Sequence, residues 1–261
     1  MDLDGRTVLV TGTNRGIGHA IASRLAQEPV RLLAGVRELD RFEPPEPGGG
    51  TRALEVKPVR IDLSSREAID ASVAGLGDEL GRIDVLVNNA GEFTGGTLDE
   101  TEIDAIYATV QANLAGLLHL TRLVLPGMLE RKRGKIVNQS SIAAYAHFPG
   151  TAVYGATKAG VAAATDVLRR ELADTGVTTL ELITGGYDTD MLHKAADSLE
   201  QHSDPSNWDF QDPGKWADTI VEAIKKDKDK LEPAGRSKLA RLAALGPDKL
   251  LDVASKRAFD R

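Results

Sequence analysis

Tyr154 and Lys158 stand four residues apart in a stretch, 151–173, whose Ala- and Gly-rich composition and spacing predict a helix. Side chains four apart leave a helix on one face. A phenol ordinarily ionises near pH 10, too high for a base at neutral pH, and a nearby ammonium favours the phenolate and lowers that value. With 4 Tyr and thirteen Lys in 261 residues, about 0.2 such pairs arise by chance, so the pair takes its meaning from its setting. Tyr154 is the only tyrosine so placed: Tyr107, Tyr145 and Tyr187 meet Gln111, Pro149 and Met191 at the same offset. Thirteen residues before it comes Ser141, at the end of Asn138-Gln139-Ser140-Ser141, with Ser140 as its neighbour and rival.

A second group is rich in glycine. Thr11-Gly12-Thr13-Asn14-Arg15-Gly16-Ile17-Gly18 follows a short β-branched run (7–10) and precedes Ile17, Ile21 and Leu25, which share one helical face. Glycines let a backbone turn sharply and approach a pyrophosphate, and a helix N-terminus offers unpaired N–H groups and a positive dipole end. The spacing Gly12-x-x-x-Gly16-x-Gly18 differs from the usual dinucleotide fingerprint, but its place at the carboxyl end of the first strand is where doubly wound sheets bind nucleotides. Asn88-Asn89-Ala90-Gly91 after strand four reads equally as a turn, and Asp62 beyond strand three as a capping residue. Other chemistries are missing their parts. There is no Cys, no G-x-S-x-G elbow for a serine hydrolase, and no metal-ligand spacing among His19, His119, His147, His193 and His202.

These groups must be held by a regular scaffold. Strands are predicted at 7–10, 30–36, 56–61, 83–87, 135–137 and 178–183, and helices at 17–25, 64–80, 102–111, 114–130, 151–173 and 216–226. Alternation at this spacing gives an α/β chain: one Rossmann-type, doubly wound parallel sheet with helices on both faces, as a single domain over 1–261. Ser64 or Ser65 caps the helix after strand three. Phe42 to Gly50, with three prolines and three glycines, is a surface loop. The polar segment 191–212 reads as a mobile substrate flap, 225–230 as a solvated helix end, and 236–261 as an amphipathic helical tail carrying Leu239, Leu242, Leu245, Leu250 and Leu251. The net charge is −7 with no long basic cluster, which disfavours nucleic acid and anionic membranes as partners. No basic leader and no run of about 18 apolar residues stands out, so neither secretion nor a membrane span is expected.

Taken together, Thr-Gly-x-x-x-Gly-x-Gly, Asn88-Asn89-Ala90-Gly91, Ser141 and Tyr154-Gly-Ala-Thr-Lys158 resemble the short-chain dehydrogenase/reductase family, in its order and spacing, over about residues 5–192. The resemblance implies hydride transfer between a nicotinamide cofactor and a carbonyl or secondary alcohol. Tyr154 would be the general acid/base and Lys158 would lower its pKa and hold the nicotinamide ribose. Ser141 would bind the reacting oxygen, and Asn113 would anchor a relay water. It assigns cofactor contacts to Gly12, Asn14, Arg15, Gly16, Ile17, Gly18, Arg37, Asp62, Leu63, Asn89, Ala90, Gly91, Tyr154, Lys158 and Thr189, with Asn88 tying adjacent strands and Asp62 meeting the adenine amino group. No metal is required. His119 is read as a helix histidine, whereas His147 sits where relatives often touch substrate. A cytoplasmic homodimer or homotetramer is implied, joined through the helices bearing Asn113 and Tyr154. A non-catalytic nucleotide-binding member and an NAD-dependent enzyme of the same family are the alternatives.

Two features depart from the family pattern. Thr184-Gly185-Gly186 stands where Pro-Gly is usual, which loosens the turn before Thr189, and the 43–50 loop replaces a common helix. Strand two ends in Val36-Arg37, without the carboxylate that would accept the ribose hydroxyls of NAD. Arg15 and Arg37 can instead grip a 2′-phosphate, so NADP(H) is expected over NAD(H), with Glu38 or Asp40 as the rival ribose ligand. Phe148, Tyr187, Met191 and Trp208 point to a partly apolar substrate.

Overall fold

A computed structural model describes residues 1–45, 50–202, 204, 208, 210–233, 235, 237 and 238. Seven parallel strands run in the order β3-β2-β1-β4-β5-β6-β7: β1 Thr7–Thr11, β2 Arg31–Val36, β3 Glu55–Arg60, β4 Ile83–Asn88, β5 Gly134–Gln139, β6 Val177–Leu182 and β7 Lys230–Leu231. The helices are α1 Gly16–Leu25, α2 Arg66–Leu76, α3 Ile103–Val110, α4 Gly116–Glu130, α5 Ala143–Ala146, α6 Ala152–Glu171, α7 Asp190–Leu199 and α8 Pro213–Lys225. This is the expected Rossmann-type fold. The inner strands are buried on both faces, which is why their centres are apolar without alternation and why Asp84, Lys135 and Asn138 among them are buried polar residues. Pro58 is tolerated because β3 lies at the sheet edge.

One core packs Val8, Val10, Val85 and Val87 against Ile21, Leu25, Ile220 and Ile224 of α1 and α8. The other packs Leu9, Leu86 and Ile136 against Ile69, Leu120, Val124 and Met128 of α2 and α4. Strand order reverses between β1 and β4, and the carboxyl ends of the strands open a crevice there.

Several boundaries differ from the sequence reading. A π-turn at Gln111–Ala115 joins α3 to α4, so 103–130 is one continuous helix. That helix is long and apolar enough to cross a membrane by length and composition alone, and its inner face belongs to the core just described. Ser65, not Ser64, caps α2 by accepting from Ala68 N at 3.1 Å. Residues 190–199, read as flap, form α7: Thr189 Oγ1 caps it, and Ala195 and Leu199 bury one side. Lys230, read as part of a solvated helix end, lies in β7. Residues 46–49 of the Pro/Gly loop, positions 203, 205–207 and 209 of the flap, and nearly all of the 236–261 tail lie outside the described residues.

Candidate active site

The glycine loop is shaped by close approach. Gly12 and Gly16 have φ of +71° and +57°, a region costly for residues with a Cβ. Gly12 N and Thr13 N donate to Gly35 O at 2.8 and 3.1 Å, which fastens the loop to β2. A Cβ on Gly18 would stand 2.0 Å from Gly12 O and 2.4 Å from Asn89 Nδ2, so α1 packs this closely on the loop and on Asn89 only because this residue is glycine. The second wall is the turn after β4. Asn89 Nδ2 donates to Thr11 O at 2.9 Å, and Thr11 Oγ1 accepts from the amides of Asn89 and Ala90 at 3.0 and 2.9 Å. Asn88 bridges Thr121 Oγ1 and Asn138 Oδ1, both at 2.9 Å, tying β4 to β5 and α4 as expected.

These walls open into a cavity of about 2010 Å³, more than the roughly 300–1,000 Å³ that suits one drug-sized ligand. Gly12, Asn14, Arg15, Gly16, Ile17, Gly18, Arg37, Asp62, Leu63, Asn89, Ala90, Gly91, Ser141, Tyr154, Lys158 and Thr189 all line it. Three buried polar atoms there have no protein partner: Asn14 Oδ1, Gln139 Oε1 and Thr184 Oγ1. Orphaned buried acceptors are rare; Asn14 Oδ1, lining the cavity just before the head of α1, fits a ligand that brings a donor such as a ribose hydroxyl there, with its phosphate at the helix N-terminus.

At the Tyr154 end of the cavity, Lys158 Nζ donates to Gln139 O at 2.8 Å and lies 5.6 Å from the Tyr154 ring centroid. The Tyr154 ring packs at 5.0 Å on Phe93 and its hydroxyl is hydrogen-bonded to Ser141. Burial pushes the phenol above its ordinary value, with the Ser141 bond pulling it back. Burial also takes Lys158 down to about 8. The sequence reading expected the ammonium to dominate the phenol; in this structure desolvation does. Ser140 lines the cavity as well, but its hydroxyl donates to Lys158 O at 3.3 Å. Asn113 lies in the π-turn and does not line the cavity among the described residues; its Oδ1 accepts from Glu92 N at 2.7 Å and its Nδ2 donates to Glu92 O at 2.8 Å.

At the adenosine end, burial would raise Asp62, but hydrogen bonds from Ser64 and the charges of Arg60 and Arg37 outweigh it and hold the carboxyl below its ordinary value. Arg15 and Arg37 are exposed at the rim, Arg15 being 3.6 Å from Asp190. Glu38 is held by Arg41 at 2.8 Å, and Asp40 does not line the cavity.

Phe148, Met191 and Trp208 line the substrate half, joined by Phe93, Ala143, Ala146 and Leu192. Tyr187 touches the cavity but its ring is buried against Trp216 at 5.2 Å, so it belongs mainly to the core and not to a substrate surface. His147 is exposed with φ +48° and is not among the lining residues; His119 pairs with Asp70 at 3.2 Å on the outside of α4. Sequence reasoning missed Thr11, Phe93 and the Gln139 carbonyl. Thr11 opens the glycine motif and was there to be weighed, whereas a main-chain acceptor such as Gln139 O leaves no sequence signal. No group of three His, Asp or Glu able to hold a metal exists among the described residues.

A family model described as short chain dehydrogenase matches residues 6–200. Glycine betaine reductase of Emericella nidulans is 32% identical over 86% of this chain, which spans only 18% of that protein's length. Ketoacyl reductase HetN of a Nostoc species is 34% identical, with 85% of this chain and 76% of that protein covered. Among solved structures, a point variant of actinorhodin polyketide ketoreductase with NADPH matches with a TM-score of 0.76 at 28% identity, covering 88% of this chain and 95% of the other.

Proposed function

The chain belongs to the short-chain dehydrogenase family, and from that membership we propose that it is an NADP(H)-dependent carbonyl reductase acting on a partly apolar ketone or the matching secondary alcohol. One observation carries the reading. The Ser141–Tyr154 hydrogen bond and the Lys158 ammonium share one cavity with the glycine loop and the orphaned Asn14 Oδ1. A nicotinamide bound there supplies or accepts a hydride at its ring C4. Tyr154 gives its phenol proton to the carbonyl oxygen in reduction and recovers it in oxidation. Its raised pKa keeps that proton on the phenol at neutral pH. The Ser141 hydroxyl donates a hydrogen bond to the same oxygen and stabilises the charge that gathers there. Lys158, protonated at neutral pH, holds the nicotinamide ribose and places positive charge beside the phenol. Asn113 fixes the Gly91–Glu92 turn and offers the second lone pair of its Oδ1 to a relay water.

NADP(H) is favoured by Arg15, Arg37 and Arg41 at the adenosine end, by Val36 where a ribose-binding carboxylate would stand, and by the occupation of Glu38 by Arg41. The NADPH of the actinorhodin ketoreductase structure points the same way. Thr189, at the head of α7, lines the same cavity and would contact the nicotinamide. We further propose a homo-oligomer built on the exposed apolar side of α3, α4 and α6, where Ile103, Tyr107, Val110, Leu118, Leu129 and Val167 face outward, and a cytoplasmic location. The test is loss of NADPH absorbance with a panel of ring and chain ketones. Turnover abolished in Tyr154→Phe supports the reading. NADPH binding without consumption of any ketone would favour the non-catalytic alternative.

A further inference from the structure

Glu181 is a buried carboxylate that the proposed chemistry does not use. It sits in β6 between apolar neighbours, only 2% exposed, and does not line the cavity among the described residues. A buried carboxylate is costly unless both oxygens are satisfied. Here Oε1 accepts from the Tyr145 hydroxyl at 2.6 Å and Oε2 from Lys230 Nζ at 3.0 Å. The same ammonium lies 5.9 Å from the Tyr145 ring centroid. Glu181 and Lys230 are register partners across β6 and β7, so Tyr145 is the member that comes from outside the sheet.

Tyr145 belongs to α5, a single helical turn of 4 residues. Such a turn has no stability of its own and must be fixed by its surroundings. It begins two residues after the candidate catalytic serine, whose hydroxyl accepts from Ala143 N at 3.2 Å and whose carbonyl accepts from Ala144 N at 3.1 Å. Its Ala143 and Ala146 form cavity wall, and Phe148 follows. A tilt of α5 therefore moves the Ser141 hydroxyl and the substrate wall together.

We infer that Tyr145, Glu181 and Lys230 form a positioning network that locks α5 to the sheet edge and so holds Ser141 in register with Tyr154. The inference rests on the catalytic reading above. Because the Ser141 hydrogen bond lowers the Tyr154 pKa, a displaced Ser141 leaves the phenol harder to ionise. Oxidation of an alcohol needs the ionised phenol, so its acid limb moves to higher pH.

The experiment measures alcohol oxidation with NADP+ across pH for Tyr145→Phe, Lys230→Met and Tyr154→Phe. Tyr145→Phe keeps the ring and removes one hydrogen bond, so kcat falls roughly three- to tenfold, the acid limb shifts upward, and NADP+ binding stays as in the wild type. Lys230→Met, at a partly exposed residue outside the cavity lining, moves both readouts the same way by less; it keeps the test decisive should Tyr145→Phe fold poorly. Wild-type kcat and limb in both variants overturn the network, as does a fall in kcat with weaker NADP+ binding and an unmoved limb, which is the mark of general loosening. Turnover surviving in Tyr154→Phe overturns the catalytic reading instead, whatever the other variants do.

Discussion

Replacing Gly18 by Ala adds one methyl group to the first turn of α1, and its effect can be worked out from the contacts around it. The new Cβ would stand 2.0 Å from Gly12 O and 2.4 Å from Asn89 Nδ2, where relaxed contacts need about 3.5 Å. Gly12 O belongs to the backbone and cannot swing aside. The loop must therefore back away by roughly 1.5 Å, or Asn89 must give up its bonds to Thr11 O and Gly12 O. Overpacking costs about 1–3 kcal/mol and each lost hydrogen bond about 1 kcal/mol, for a total near 3 kcal/mol. At about 2–4 °C per kcal/mol for a chain of this size, thermal unfolding falls by roughly 6–12 °C. The displaced amides are also those that would face the pyrophosphate, so NADPH affinity falls at least about tenfold, or 1.4 kcal/mol. Gly75→Ala is the control: it lies exposed within α2 with nothing within 4 Å of its Cβ, and helix propensity stabilises that variant by up to about 1 kcal/mol. Thermal scanning and fluorescence titration with NADPH read both effects. A Gly18→Ala protein that melts and binds like the wild type would refute the close-approach argument.

Tyr154→Phe should bind NADPH normally and lose roughly 10²–10⁴-fold in kcat, as removal of a general acid requires; more than about a tenth of wild-type kcat would contradict its role. NADPH should bind at least about tenfold tighter than NADH, and Val36→Asp with Arg37→Ala should reverse the order; equal affinities in paired titrations would return the ribose to Glu38. Lys158 has a pKa lowered to about 8, so it loses its charge as pH rises through that value, and kcat/KM for NADPH should decline above it. Lys158→Met should be poor at every pH and show no such decline, and an identical limb in that variant would assign the titration elsewhere.

Much of this was legible because buried parallel strands announce themselves. β1 and β4 are short, mainly apolar runs and β5 has an apolar centre; the residues that follow these three strands turn out to form the cavity rim, and the glycine spacing needs no tertiary knowledge to be read. What escaped depends on which side of a short segment faces inward. The polar residues of α7 mask a two-residue apolar stripe, Ala195 and Leu199, that suffices to seat it. Tyr187 and Met191 lie in one short stretch, but only the tertiary path sends the tyrosine ring to Trp216 and leaves the methionine exposed at the cavity. β7 has 2 residues, too few for any periodicity, and Lys230 is indistinguishable in sequence from its solvated neighbours. The pKa expectation failed for a related reason: spacing gives proximity of charge, but the competing desolvation is a property of the packed interior.

The strand order also fixes when the site can come into being. No two neighbours in this sheet are joined by a hairpin; β1 finds its inner partner only in β4, and the bond from Asn89 N to Thr11 Oγ1 spans 78 residues. Loop closure over such distances is slow and is unrewarded until both ends arrive. A chain emerging from its N-terminus thus carries an unfinished glycine loop until residue 89 has been made. The glycine-loop end is completed first, the Tyr154–Lys158 end only after α6 docks on β5 and β6. The order of synthesis accordingly assembles the glycine-loop wall of the cavity before the wall that carries Tyr154, Lys158 and Thr189.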